Sequence, residues 1–233
     1  VCRMLAYRGE DKGELESLFS CLVRSAKKDP ITGDVHGDGW GIVAYTDAGT
    51  LVHYRSALPI FEDNNANKVL ELLEGKMWVI VHARLATDKS LVDAKFSHPY
   101  LETTPGELIY VAHNGSVDKE GLGKYLGIDA KYMVDSELIG KFIVKEGLDQ
   151  LSLDKLKGFT RSALNVFILR VPRNSREPKL YYLNFYRQEY IEKRGIPAEY
   201  YKLYKKNNAV FSSSLAYFCG KDIQVEVGKF DEI

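Results

Sequence analysis

The stretch Glu107-Leu108-Ile109-Tyr110-Val111-Ala112-His113-Asn114-Gly115 reads as a strand that closes on a polar cluster. Its β-branched and aromatic residues suit a strand, and Asn-Gly is a strong turn dipeptide, so the strand is expected to end at His113. A second stretch is built the same way: Met77 to Val81 runs into His82-Ala83-Arg84-Leu85-Ala86-Thr87. Before it, Trp40 to Tyr45 and Leu51 to Tyr54 read as strands joined by a turn at Asp47-Ala48-Gly49. Late in the chain, Ala163 to Val171, Leu180 to Phe185, Ala209 to Ser213 and Ile223 to Val227 read as four more. Helical spacing of apolar residues predicts helices over Glu14 to Lys27, Asn67 to Leu73, Lys119 to Leu126, Ser136 to Glu146 and Leu153 to Lys157. Strands in both halves with helices gathered between them predict an α+β fold of antiparallel sheets rather than a doubly wound parallel sheet.

Composition narrows the function. The chain has 233 residues, 45% hydrophobic and 27% charged. No repeat, linker or low-complexity segment divides it, so residues 1–233 read as a single domain, with a core large enough to need no metal or disulfide. Lys plus Arg and Asp plus Glu number 32 each, so no net field draws the protein to nucleic acid or to an anionic membrane. The apolar runs fall well short of the roughly 20 residues of a membrane span. The beginning of the chain lacks the long apolar stretch of a signal peptide, so a cytoplasmic protein is expected. Cys2, Cys21 and Cys219 fit no zinc or redox spacing and are all expected to be reduced.

Candidate chemistry begins at Cys2. If this cysteine were the first residue, its α-amine, with a pKa of about 7.7–8.0, would lie within reach of its own thiol. One residue would then supply nucleophile and general base together. The plainer reading is a cysteine that anchors a first strand. Polar clusters then stand along the chain. His36-Gly37-Asp38-Gly39-Trp40-Gly41 permits close backbone approach, but no strand precedes it and no helix follows it, so it is not a dinucleotide fingerprint. His82 and Arg84 share one face of their strand, and Arg84 either grips a substrate carboxylate or pairs with a nearby acid. Ser97-His98-Pro99-Tyr100 reads as a turn or a site, and Asp135-Ser136-Glu137 as a helix start or a site. At Asn114-Gly115 a side-chain amide and a backbone N–H stand side by side, a pair of donors able to hold an oxyanion.

In this order and spacing the elements resemble the class II glutamine amidotransferases, which are N-terminal-nucleophile hydrolases. The matching segments are Cys2-Arg3, Asp38-Gly39-Trp40-Gly41-Ile42, His82 to Thr87, His98-Pro99, His113-Asn114-Gly115 and Asp135-Ser136-Glu137, spanning about the first 140 residues. Later, only Val210-Phe211-Ser212-Ser213 resembles a family strand. The resemblance implies a four-layer sandwich, two antiparallel sheets between helical layers. It implies that Cys2 attacks the side-chain amide carbon of glutamine and forms a γ-glutamyl thioester that water opens. The Cys2 amine would take the thiol proton and pass it to ammonia. Asn114 and the Gly115 N–H would hold the oxyanion, Arg84 the α-carboxylate and Asp135 the α-ammonium. Thr87 and His98 would lie beside the substrate. His98 is given no chemical step, although it is the first candidate for a base should the amine not serve. No metal or other cofactor is implied.

Two departures from the family pattern stand out. Val1 precedes the cysteine whose amine must be free, and from a length of 233 residues no second, ammonia-using domain is expected. A stand-alone glutaminase that supplies a separate synthase is the leading expectation. Hydrolysis of another γ-glutamyl compound such as glutathione is the second, and a non-catalytic domain that senses glutamine or binds a partner is the third.

Overall fold

The computed structural model describes residues 2–174 and 177–233. Alternation along the first strand sets up the layers. In β1 (Arg3–Gly9), Leu5 and Tyr7 turn to one side and pack with Leu15, Leu18 and Leu22 of helix α1 (Lys12–Lys27). Met4 and Ala6 turn to the other side, where they meet Tyr110, Ala112 and Phe167. A strand covered on both faces must be apolar at successive positions, which is why it lacks the alternating pattern of a half-exposed strand. Helix α1 starts where the Asp11 side chain accepts the Glu14 N–H.

The chain continues through β2 (Trp40–Thr46), β3 (Leu51–Ser56), α2 (Ala66–Glu71), β4 (Met77–Ala83), β5 (Tyr100–Thr103) and β6 (Glu107–Val117). Helices α3 (Lys119–Leu126), α4 (Glu137–Glu146) and α5 (Gln150–Lys157) then come together. The late elements are β7 (Thr160–Pro172), β8 (Lys179–Leu183), α6 (Gln188–Arg194), β9 (Leu203–Lys206), β10 (Ala209–Ser212), α7 (Ala216–Cys219), β11 (Ile223–Gln224) and β12 (Phe230–Glu232). One sheet has the order β11-β9-β10-β1-β4-β2-β3 and the other β12-β8-β7-β6-β5. The apolar face between them is shared by Met4, Val43 and Ile80 of the first sheet and Tyr110, Phe167 and Leu169 of the second. Helices α1 and α2 cover the outer face of the first sheet, and α3, α4 and α5 that of the second. The α+β four-layer sandwich is therefore present, with the strand pairs antiparallel.

Two expectations are corrected. Asn114-Gly115 does not turn the chain. β6 runs on through it to Val117, because Asn114 and Gly115 stay paired with Asn165 and Leu164 of β7, and the irregularity comes after Gly115. The cysteines are not all free. Cys21 on α1 and Cys219 on α7 form a disulfide with Cα atoms 6.2 Å apart, and Cys2 alone is free. The apolar surroundings of both residues belong to one interface, where α1 and α7 pack together. No helix among the described residues is long and apolar enough to cross a membrane.

Candidate active site

The site forms where the ends of the central strands of both sheets meet. Arg3 of β1 lies opposite Ala83 of β4, which brings Cys2 against the residues that follow β4. The Leu85 N–H points at the Cys2 sulfur from 3.5 Å. From the second sheet, Asn114 Oδ1 accepts the Cys2 N–H at 2.8 Å. Its Nδ2 is buried and has no partner, so a donor is left beside the thiol with nothing in the protein to satisfy it. Gly115 follows with φ +142°, and a Cβ there would sit 1.9 Å from the Ala163 carbonyl oxygen, so only glycine lets β6 approach β7 this closely.

Cys2 opens onto a cavity of about 610 Å³ whose walls include Arg84, Thr87, His98, Gly115 and Asp135. The residues expected from the sequence to meet a substrate are thus brought to one place, and Asn114 joins them through Cys2. Val1 lies outside the described residues. Arg84 is buried and donates from Nη1 to the Leu91 carbonyl at 2.6 Å. No acid among the described residues lies within ion-pair distance of it. Asp135 accepts the Val117 N–H at one oxygen and the Ser136 N–H at the other, so its carboxylate is held in place at the start of α4. Among the described residues, no three His, Cys, Asp or Glu side chains converge as metal ligands.

Burial of the Cys2 thiol pushes its pKa up, but the neighbouring His82, aided by the Leu85 backbone contact, outweighs this and brings it down to about 6. His98 has both ring nitrogens buried without partners, and burial, reinforced by the neighbouring His82, holds it well below the usual histidine range. His113 is lowered by burial against the opposing pull of Asp135. Its Nε2 must carry hydrogen to reach the Ala163 carbonyl at 3.0 Å, so in the neutral ring Nδ1 accepts from Ser136 Oγ at 2.8 Å.

Supports for this arrangement came from residues to which the sequence assigned no role. Arg3 is fully buried, 3.8 Å over the Tyr200 ring, and it pairs with Asp29 and donates to Ser214 Oγ. Asp29 also accepts from Ser214 and lies 3.3 Å from His36. Burial pushes the Asp29 carboxyl up, yet His36, Arg3 and Ser214 together hold it well below the usual carboxylate range. This cluster fixes the residue next to Cys2. The glycine segment also supports rather than reacts. Asp38 accepts the Ala86 N–H and pairs with Lys89, which ties down the loop carrying Arg84 and Thr87. At Gly41 a Cβ would meet the His98 carbonyl oxygen at 2.1 Å.

A cysteine at the head of a central strand, two stacked antiparallel sheets and outer helices define the N-terminal-nucleophile hydrolase arrangement. The match to the family model of class II glutamine amidotransferases covers residues 1–139, and the chain belongs to that family. Among solved structures, glutamine phosphoribosylpyrophosphate amidotransferase from B. subtilis, complexed with ADP and GMP, is 17% identical with a TM-score of 0.61. A structure described as the allosteric regulatory enzyme of purine biosynthesis is also 17% identical, with a TM-score of 0.63. Each alignment covers 99% of this chain but 46% of the other, so the chain spans just under half of their length. A glutamine aminotransferase class-II domain protein from Silicibacter pomeroyi is 14% identical with a TM-score of 0.52, and there the alignment covers 98% of this chain and 93% of the other. At these identities the likeness is one of fold. No curated protein sequence matches the chain significantly.

Proposed function

We propose that the protein hydrolyses the side-chain amide of glutamine to glutamate and ammonia, with Cys2 as nucleophile. The observation that carries this reading is the unpartnered Asn114 Nδ2 beside a free thiol on a cavity that also holds Arg84 and Asp135. The sulfur attacks the amide carbon, and the oxygen that gains charge is met by Asn114 Nδ2–H and the Gly115 N–H. Collapse expels ammonia and leaves a γ-glutamyl thioester. Water adds to this thioester through a second oxyanion, and glutamate departs as Cys2 is restored. Arg84 grips the α-carboxylate and Asp135 the α-ammonium, with Thr87 and His98 completing the walls. The ammonia passes to a separate synthase.

A second reading keeps the chemistry and enlarges the substrate. The cavity extends beyond the glutamine clamp to Lys119, Arg161 and Arg194, which would suit a γ-glutamyl compound with a further anionic group, such as glutathione. The test uses a chain that begins at Cys2, with glutamine and glutathione supplied separately and glutamate release measured. Glutamine turnover that disappears in Cys2→Ala supports the proposal. Turnover of glutathione alone favours the second reading, and turnover of neither refutes both.

A further inference from the structure

The thiol has a neighbour to which the reaction above gives no part. Met4 of β1 lies opposite His82 of β4, and Cys2 is two residues before Met4, so Cys2 and His82 occupy one face of the sheet as diagonal neighbours. The hydrogen bonding of His82 decides its tautomer. A carbonyl oxygen only accepts, so the 3.1 Å contact from Nε2 to the His113 carbonyl puts a proton on Nε2. In the neutral ring Nδ1 then carries the lone pair. It is buried with no hydrogen-bond partner, and the Cys2 thiol is the neighbouring acid whose ionisation the ring favours.

The other groups around this pair do not compete for the proton. His98 stacks on His82 with ring centroids 3.9 Å apart and is kept neutral by burial. Both nitrogens of His113 are occupied. Arg84 and Arg55 disfavour a proton on His98. Burial keeps the Tyr100 phenol protonated. Asp135 is engaged by two backbone N–H groups.

We propose that His82 accepts the Cys2 thiol proton on Nδ1 and holds the resting nucleophile as a thiolate–imidazolium pair. The α-amine of a chain beginning at Cys2 is then left to protonate the departing ammonia. The S–H bond breaks with its electron pair remaining on sulfur, and the proton forms the new N–H bond, so no other reactant is needed. The inference rests on Cys2 being the nucleophile. It replaces His98, the first alternative base suggested by the sequence, with His82.

The test is the pH dependence of Cys2 alkylation by iodoacetamide, followed by intact mass, in the unmodified protein and in His82→Gln. Glutamine retains an amide N–H that can reach the His113 carbonyl but removes the basic nitrogen. The alkylation midpoint should lie near 6 in the unmodified protein and rise toward the ordinary thiol value of about 8.5 in the variant. The thiolate fraction at pH 7 would fall from roughly 90% to roughly 3%. The midpoint is the quantity to read, because a thiolate of lower pKa is also intrinsically less nucleophilic. An unchanged midpoint in His82→Gln, or an ordinary midpoint in the unmodified protein, overturns the inference.

Should His82→Gln fail to fold, ¹⁵N chemical shifts of the His82 ring at pH 7 decide the matter. They should report an imidazolium in the unmodified protein and a neutral ring in Cys2→Ser. A neutral ring in both overturns the inference. Neither readout involves glutamine. A low midpoint without turnover supports the pair and removes the substrate assignment, whereas turnover with an ordinary midpoint does the reverse.

Discussion

Substituting Asn114 separates two jobs done by one side chain. Oδ1 accepts the Cys2 N–H at 2.8 Å, and Nδ2 is the unpartnered donor. Asn114→Ala removes both groups. Asn114→Asp keeps an oxygen for the Cys2 N–H and puts a second oxygen where the donor was. Loss of one oxyanion donor lowers kcat by about 10²–10³, equivalent to about 2.7–4 kcal/mol. The aspartate adds a like charge beside the oxyanion, and at about 4 Å and an effective dielectric of 20 that repulsion is of order 4 kcal/mol. This figure is an upper bound, since a buried carboxyl relieves part of it by taking up a proton. The expected order of kcat is therefore Asn, then Ala, then Asp, with the Ala-to-Asp step as large as a further 10³ or so. Steady-state glutamate release at saturating glutamine measures this, with thermal melts to confirm that each variant is folded. A kcat for Asn114→Ala within about threefold of the unmodified enzyme, or an aspartate variant as active as asparagine, would refute the oxyanion assignment.

Arg84→Ala should mainly raise KM, because the arginine binds the α-carboxylate in ground state and transition state alike; a fall in kcat at unchanged KM would contradict this. A chain with Val1 attached should turn glutamine over far more slowly than one beginning at Cys2, since an acylated nitrogen cannot carry a proton to ammonia, and equal rates would show that the amine is not needed. Replacing both disulfide cysteines in Cys21→Ser/Cys219→Ser should lower stability by about 2–5 kcal/mol in denaturant titrations while leaving Cys2 reactive; an unchanged midpoint would mean that the α1–α7 link adds nothing. Acid should destabilise the fold through His36, which burial lowers to about 4 against an ordinary value of 6.5. Between those values the unfolded chain binds the proton that the folded protein excludes, so stability is full above about pH 6.5 and falls by up to about 3 kcal/mol toward pH 4. A melting temperature flat from pH 7 to pH 4 would contradict the sign.

Most of the strand framework was legible because β4, β6 and β7 are rich in β-branched and aromatic residues, and α1 has a clear apolar stripe. The motifs at the ends of β4 and β6 identified the residues that meet in the cavity. What escaped depends on contacts between distant parts of the chain. Asn114-Gly115 has the local chemistry of a turn, yet pairing with β7 keeps it extended. Cys21 and Cys219 are 198 residues apart, and no spacing rule relates them. Asp29 and Ser214 hold Arg3 through a buried network whose members lie in unrelated segments. The tautomer of His82 follows from a carbonyl on the other sheet. The short edge strand β12 and the helix α7 carry too few residues for any period to register.

The central claim is that Cys2 becomes acylated by the γ-glutamyl group of glutamine. The most direct measurement is acid-quench mass spectrometry of a chain beginning at Cys2, mixed with excess glutamine and digested at low pH. The account predicts a γ-glutamyl adduct on the peptide containing Cys2 that appears within a turnover, decays as glutamine is consumed, and is absent in Cys2→Ala. Glutamine hydrolysis with no adduct on Cys2, or with undiminished turnover in Cys2→Ala, would contradict it.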